Sequence, residues 1–127
     1  MTEVAAAIIW RHDKILICKR GPGGSCEYLW EFPGGKREPA ETPEECLERE
    51  CREELGVTIK INGIFDKTVY KYPDREIAFT FFNAEITGGE LKPAVHEEIR
   101  WVTVKELPEY EFCPADMKII ERLSEEY

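Results

Sequence analysis

The chain has no apolar run near the length of a membrane-spanning helix; its longest are Val4 to Trp10 and the few residues around Phe79 to Phe82. Nor does it open on a charged stretch followed by an apolar one, as a secretory leader does, so a cytoplasmic location and no membrane partner are expected. Its five cysteines, Cys18, Cys26, Cys46, Cys51 and Cys113, are odd in number and form no Cys-x-x-Cys pair. That argues against a disulfide framework and against a structural zinc site, and reduced, mostly buried thiols are expected instead. Histidine is scarce: of the two, His12 lies in a turn with no metal-binding neighbour and should be exposed. Positive charge is in deficit too. The 17 Lys and Arg against 26 Asp and Glu leave a formal net charge of −9, which excludes the basic surface that a nucleic acid polymer requires. A single nucleotide is not excluded, since a cation held by carboxylates would present local positive charge to its phosphates.

What is present suits one domain. The 127 residues, 43% hydrophobic, are enough for one core and too few for two, so a single domain over residues 1–127 is expected. Glu3 to Trp10, Arg11-His12-Asp13-Lys14 and Ile15 to Cys18 read as a hairpin. Gly21-Pro22-Gly23-Gly24-Ser25 is a flexible loop able to lie over a ligand. Val57 to Tyr72 and Arg75 to Thr87 are rich in strand formers, the first broken at Asn62-Gly63 and the second closed by Gly88-Gly89. Tyr72-Pro73-Asp74-Arg75 is the turn between them. His96 to Val102 leaves a loop and enters a short strand. Phe112 to Leu123 reads as an amphipathic helix with Pro114 near its start and Met117, Ile120 and Leu123 as core candidates.

The densest pattern is Gly34 to Val57, a glycine turn feeding one acidic helix. Thr42 can cap it, Pro43 suits its first position, Glu45 completes a capping box, and Gly56 can end it. Leu47, Cys51 and Leu55 form its core-facing side. Glu50, Glu53 and Glu54 project within roughly a 100° sector, where like charges cost a few tenths of a kcal/mol per pair. A hard divalent cation bound through oxygen would relieve them; a solvated acidic face is the alternative.

Taken together, Gly35, five residues, Glu41, seven residues and then Arg49-Glu50-Cys51-Arg52-Glu53-Glu54-Leu55-Gly56-Val57 resemble the signature box of the Nudix hydrolases. The one soft departure is Cys51, where the family prefers a larger aliphatic. The resemblance implies an α/β fold, the Nudix α/β/α sandwich with a mixed central β-sheet. It also implies a Mg2+ cofactor, with Mn2+ as a substitute. Glu53 and Glu54 are then the principal ligands, and Glu50 is either a ligand or the general base. Arg49 would pair with a box carboxylate and hold it in orientation.

Trp30-Glu31-Phe32-Pro33-Gly34-Gly35-Lys36 resembles the corresponding segment of MutT-type nucleoside triphosphate pyrophosphohydrolases within that family. There a glycine carbonyl ahead of the helix joins the metal shell, which maps to Gly34 or Gly35. An Arg matching Arg20 contacts the phosphates, and the run matching Glu31, Phe32, Pro33 and Gly34 lines the nucleotide cleft. An aromatic-Pro-Asp-Arg element brings Tyr72 and Arg75 near the base. A Glu ahead of a late strand adds a metal ligand or the base; Glu98 matches best, with Glu97 beside it. Asp116 stands where the MutT type carries an Asn that reads oxidised guanine. An ionised Asp offers acceptors alone, which suits guanine N1–H and N2–H or the cytosine amine, whereas a protonated Asp regains a donor. Asp116 could instead serve its own helix N-terminus.

The expected activity is hydrolysis of a nucleoside triphosphate to monophosphate and pyrophosphate, in nucleotide-pool sanitation of the DNA-repair kind, with 8-oxo-dGTP or a cytidine or deoxycytidine triphosphate as substrate. The alternatives are a Nudix hydrolase of ADP-ribose or a dinucleotide, and a nonhydrolytic nucleotide-sensing domain. Sensing domains typically lose the box carboxylates that this chain retains. Monomer and homodimer are equally open.

Overall fold

The first strand, β1 (Thr2–Arg11), is apolar on both faces, and this sets the architecture. Ala5, Ala7 and Ile9 belong to one buried cluster, while Ala6 and Ile8 belong to another on the opposite side. A strand buried on both faces must occupy the middle of three layers. A computed structural model describing residues 1–127 shows this arrangement, with a seven-stranded sheet between two helices.

The remaining strands are β2 (Lys14–Lys19), β3 (Trp30–Glu31), β4 (Gly34–Lys36), β5 (Val57–Tyr72), β6 (Arg75–Gly89) and β7 (Glu98–Thr103). They run in the order β3-β2-β1-β6-β5, with β4 also paired to β1 and β7 to β2. The β1–β6 pair is parallel and the others antiparallel, so the sheet is mixed as expected. The β1–β2 hairpin turns at His12, which is exposed and adopts a left-handed φ of 58°.

Helix α1 (Pro43–Leu55) forms where its local signals put it. Thr42 accepts from the Glu45 amide, Glu45 answers at the Thr42 amide, and Gly56 closes the helix at φ 71°. It buries Cys46, Leu47, Cys51 and Leu55 against one face of the sheet. Helix α2 (Met117–Glu126) buries Ile119, Ile120 and Leu123 against the other. No helix is long and apolar enough to cross a membrane.

Two expectations change. The break at Asn62-Gly63 is a bulge inside a continuous strand, with the β5–β6 register shifting between Ile61 and Gly63. The last helix is preceded by a 3-10 turn, Pro114–Asp116, and Met117 is 48% exposed rather than core. By helical period Met117, the first residue of α2, falls at the edge of the stripe formed by Ile119, Ile120 and Leu123 and not at its centre.

The connection after β6 is tied to the far end of α1. Lys92 and Ala94 donate amides to the free carbonyls of Leu55 and Glu54, each at 2.9 Å. By satisfying the C-terminal carbonyls of α1, the loop is pinned across the end of the acidic helix.

Candidate active site

Arg49 organises the acidic face of α1. It holds Glu41 through two bonds of 3.0 and 2.7 Å, Glu50 at 3.0 Å and Glu53 at 2.9 Å, and also donates to the Lys36 carbonyl at 3.1 Å. The guanidinium pulls Glu41 down to a pKa of about 2, and burial pushes Glu50 up despite Arg49. The planar fork places five bonds on three carboxylates and a carbonyl, which the three donors of an ammonium cannot match. Arg49→Lys should therefore leave α1 folded by circular dichroism yet cost roughly 10- to 100-fold in turnover, the usual range when a residue orienting metal ligands is lost.

Glu54 is differently placed. It is largely buried, its Oε1 has no hydrogen-bond partner, and burial raises its pKa to about 7 although nearby His96 pulls the other way. His96 is 3% exposed; its Nε2 lies 2.9 Å from Glu31 Oε2, and its Nδ1 is unpartnered. Glu31 also accepts from Arg20 at 3.3 Å. Arg20, Gly21, Pro22, Gly23, Glu31, Glu54, Val95 and His96 line a cavity of about 390 Å³ at this end of α1.

A second cavity, about 100 Å³, adjoins the first through Arg20 and Glu31. Its walls include Phe32, Gly34, Tyr72, Phe79, Cys26, Cys113 and Asp116. The close approach at Gly34 is obligatory, since a Cβ there would meet the Ala5 and Ala6 backbone. At Gly35 a Cβ would collide with the Glu50 carboxyl. Asp116 is buried, and burial, then Glu31, pushes its pKa well up, with the Phe32 amide opposing. It makes no capping bond to α2, so helix capping does not explain its burial.

The structure thus brings Arg20, Glu31, Phe32, Gly34, Tyr72 and Asp116 to one cleft. Pro33 is buried beneath it and accepts the Ala7 amide at 2.8 Å. Arg75 lies outside the lining, over the Tyr72 ring at 5.3 Å and 3.7 Å from Asp74. Glu98 is not brought to the box carboxylates: it pairs with Arg100, which stands over Trp30 and Tyr110. Along β7, Ile99 and Trp101 pack on the α1 side and Val102 on the α2 side, so Glu98 shares the α2 face. Trp30 itself is core, edge-on to Tyr110 at 5.1 Å. Sequence reasoning missed His96, because its tie to Glu31 spans 65 positions and follows from the pinned loop, with no local motif to announce it.

No three acidic, His or Cys side chains already converge as a metal cage, since Arg49 draws Glu50 and Glu53 to itself. The donor chemistry nevertheless fits a hard divalent cation. Glu54 carries a buried oxygen without a partner, Glu50 is half-buried against Gly35, Glu53 lies beside them on Arg49, and all three are carboxylates.

The sequence profile of the NUDIX domain matches residues 4–122. A CTP pyrophosphohydrolase of Escherichia coli (strain K12) is 35% identical over 121 residues, covering 95% of this chain and 90% of that protein. An 8-oxo-dGTP diphosphatase of the same organism is 34% identical over 122 residues, covering 95% of each. Among solved structures, the E. coli ORF135 protein superposes with a TM-score of 0.85 at 34% identity, over 95% of this chain and 86% of that one. A MutT protein from Methanosarcina mazei Go1 reaches 0.86 at 24% identity, over 98% and 94%, a likeness of fold alone.

Proposed function

This chain belongs to the Nudix hydrolase family, and from that premise we propose that it hydrolyses a nucleoside triphosphate to a nucleoside monophosphate and pyrophosphate. The observation that carries the reading is the adjacency of the two cavities: Arg20 and Glu31 line both the small cleft that includes Asp116 and the larger one that includes Glu54. A base seated against Phe32 and Asp116 would lead its phosphates past Arg20 to the acidic face of α1. Substrates containing 8-oxoguanine or cytosine are the two candidates, matching the activities named for the relatives.

Glu50, Glu53 and Glu54, with a carbonyl of Gly34 or Gly35, would hold Mg2+. A cation held there would supply Lewis-acid polarisation of phosphate oxygens and would offset charge on the departing pyrophosphate. The protein's own groups do the rest. Arg20 pairs with the phosphates, exchanging its bond to Glu31 for a stronger charge-assisted one. Arg49 keeps Glu50 and Glu53 on one side of α1. Glu50, half-buried with a raised pKa, suits either ligation or accepting the proton of the attacking water. The placement of Glu98 beside Arg100 favours Glu50 over Glu98 for the proton.

A magnesium-dependent panel of triphosphates, 8-oxo-dGTP, methylated cytidine triphosphates, ADP-ribose and dinucleotides, with products separated, tests this directly. Monophosphate plus pyrophosphate from one triphosphate is expected. Preferential cleavage of ADP-ribose or a dinucleotide would overturn the substrate class, and tight binding without turnover would overturn catalysis.

A further inference from the structure

Two thiols have no role in that chemistry. Cys26, in the loop that follows Arg20, and Cys113, just ahead of the Pro114–Asp116 turn, both line the small cleft. The two thiols share the wall of this one small cavity, and Cys26 is near enough to help push the Cys113 thiol up. Trp30 sets this juxtaposition. Its carbonyl accepts the Cys113 amide at 2.9 Å, its amide donates to the Glu111 carbonyl at 2.8 Å, and the Leu29 amide turns back to the Cys26 carbonyl at 3.1 Å.

The other cysteines differ in access. Cys18, Cys46 and Cys51 are each 0% exposed between the sheet and α1, whereas Cys26 at 8% and Cys113 at 6% reach the cleft wall. The loop carrying Cys26 is also adjustable. Gly23 and Gly24 adopt φ of 99° and 79°, so the backbone there can re-seat without a side chain in the way.

We propose that Cys26 and Cys113 form a reversible disulfide that ties the loop to the Asp116 segment and closes the cleft to nucleotide. The loss of turnover rests on the cleft being the nucleotide site of a triphosphate hydrolase; the disulfide itself does not. With hydrogen peroxide as oxidant, the Cys26 thiolate attacks one oxygen, the O–O bond breaks, and a sulfenic acid forms while the departing hydroxide takes up the proton the thiol had released, leaving as water. The Cys113 sulfur then attacks the Cys26 sulfur, the S–O bond breaks, the S–S bond forms, and the hydroxide leaves with the Cys113 proton as water. Two thiols lose two electrons and two protons, and one hydrogen peroxide becomes two waters. Cys26 takes the first step because it sits in the adjustable glycine loop, whereas Cys113 is held by its amide bond to the Trp30 carbonyl.

The test treats the reduced full chain with hydrogen peroxide, then reads free thiols, disulfide-linked peptides and triphosphate turnover before and after dithiothreitol. Free thiols should fall from five to three, one peptide should link Cys26 to Cys113, and turnover should drop roughly tenfold or more and return on reduction. Cys26→Ser and Cys113→Ser should form no such link, and each should keep a higher treated-to-untreated turnover ratio than the parent. No thiol loss, a link among Cys18, Cys46 and Cys51, or peroxide inactivation of both Ser variants as deep as that of the parent overturns the proposal. A Cys26–Cys113 link with unchanged turnover overturns the closure of the cleft. Absence of triphosphate turnover before oxidation would count against the hydrolase substrate reading alone, and the thiol count would still decide the disulfide.

Discussion

Glu54→Gln is expected to lower kcat by roughly 1,000-fold at saturating magnesium, in line with losing a metal ligand or a positioned carboxylate, while making the metal-free protein more stable above neutral pH. The two effects have one cause. Glu54 is a carboxylate kept largely from water with an unpartnered oxygen, so its charge is costly until a cation arrives. Burial raises its pKa from 4.5 to about 7. Between those values the folded state binds more protons than the unfolded one, and stability must fall as pH rises. This contribution is fully present below pH 4.5 and is lost as pH passes about 7; the shift corresponds to on the order of 3 kcal/mol. Glutamine, neutral throughout, escapes that loss.

Thermal midpoints of parent and variant in chelator, at pH 5 and pH 8, should therefore nearly coincide at the lower pH and separate at the higher, with the variant ahead. Added Mg2+ should raise the parent at pH 8 and move the variant little. Glu53→Gln provides the contrast. Glu53 is 55% exposed and bonded to Arg49, so its loss should reduce turnover while leaving the metal-free fold intact. Normal kcat for Glu54→Gln at saturating Mg2+ would remove Glu54 from the metal site. A stability difference independent of pH would show that its burial, and not its charge, is what matters.

The parts legible in sequence were those whose physics is local. Thr42, Glu45 and Gly56 bound α1 through contacts within four positions, and Leu47, Cys51 and Leu55 fall on one face by helical period alone. The sandwich was legible from the family box, whereas the burial of β1 on both faces emerges only in the structure. What escaped depends on register. Whether Glu98 faces α1 or α2 is decided by its pairing with Lys19 across β2, and a slip of one residue would reverse it. Arg49 was expected to hold one carboxylate; its reach to Glu41, eight residues away, needs the turn at Glu38–Glu41 that the box spacing does not describe. His96 and the Cys26–Cys113 pair are tertiary facts, produced by loops pinned to the end of α1 and to Trp30.

Asp116 is where the structure changes the chemistry read from the sequence, and its variants should shift base preference more than any other. An ionised Asp116 would offer acceptors alone. Burial and Glu31 instead favour the neutral acid, which presents one O–H donor and one carbonyl acceptor. Asparagine carries the same pair of functions in the same shape. Asp116→Asn should therefore keep most of kcat/KM for the preferred base near neutrality, whereas Asp116→Leu should lose it. Stranding a base donor or acceptor in a buried cleft costs roughly 1–3 kcal/mol, a 5- to 150-fold change in the ratio between preferred and competing triphosphates. The pH profiles separate the protonation states. With a raised pKa, the neutral form persists above the ordinary carboxylate range, and kcat/KM for the preferred base should fall as pH climbs through the raised value. Asp116→Asn should lack that alkaline limb, because an amide does not titrate. If Asp116→Asn instead abolishes the preference at neutral pH, the carboxylate is the working form and the burial argument fails. If base ratios stay unchanged in both variants, Asp116 does not touch the base.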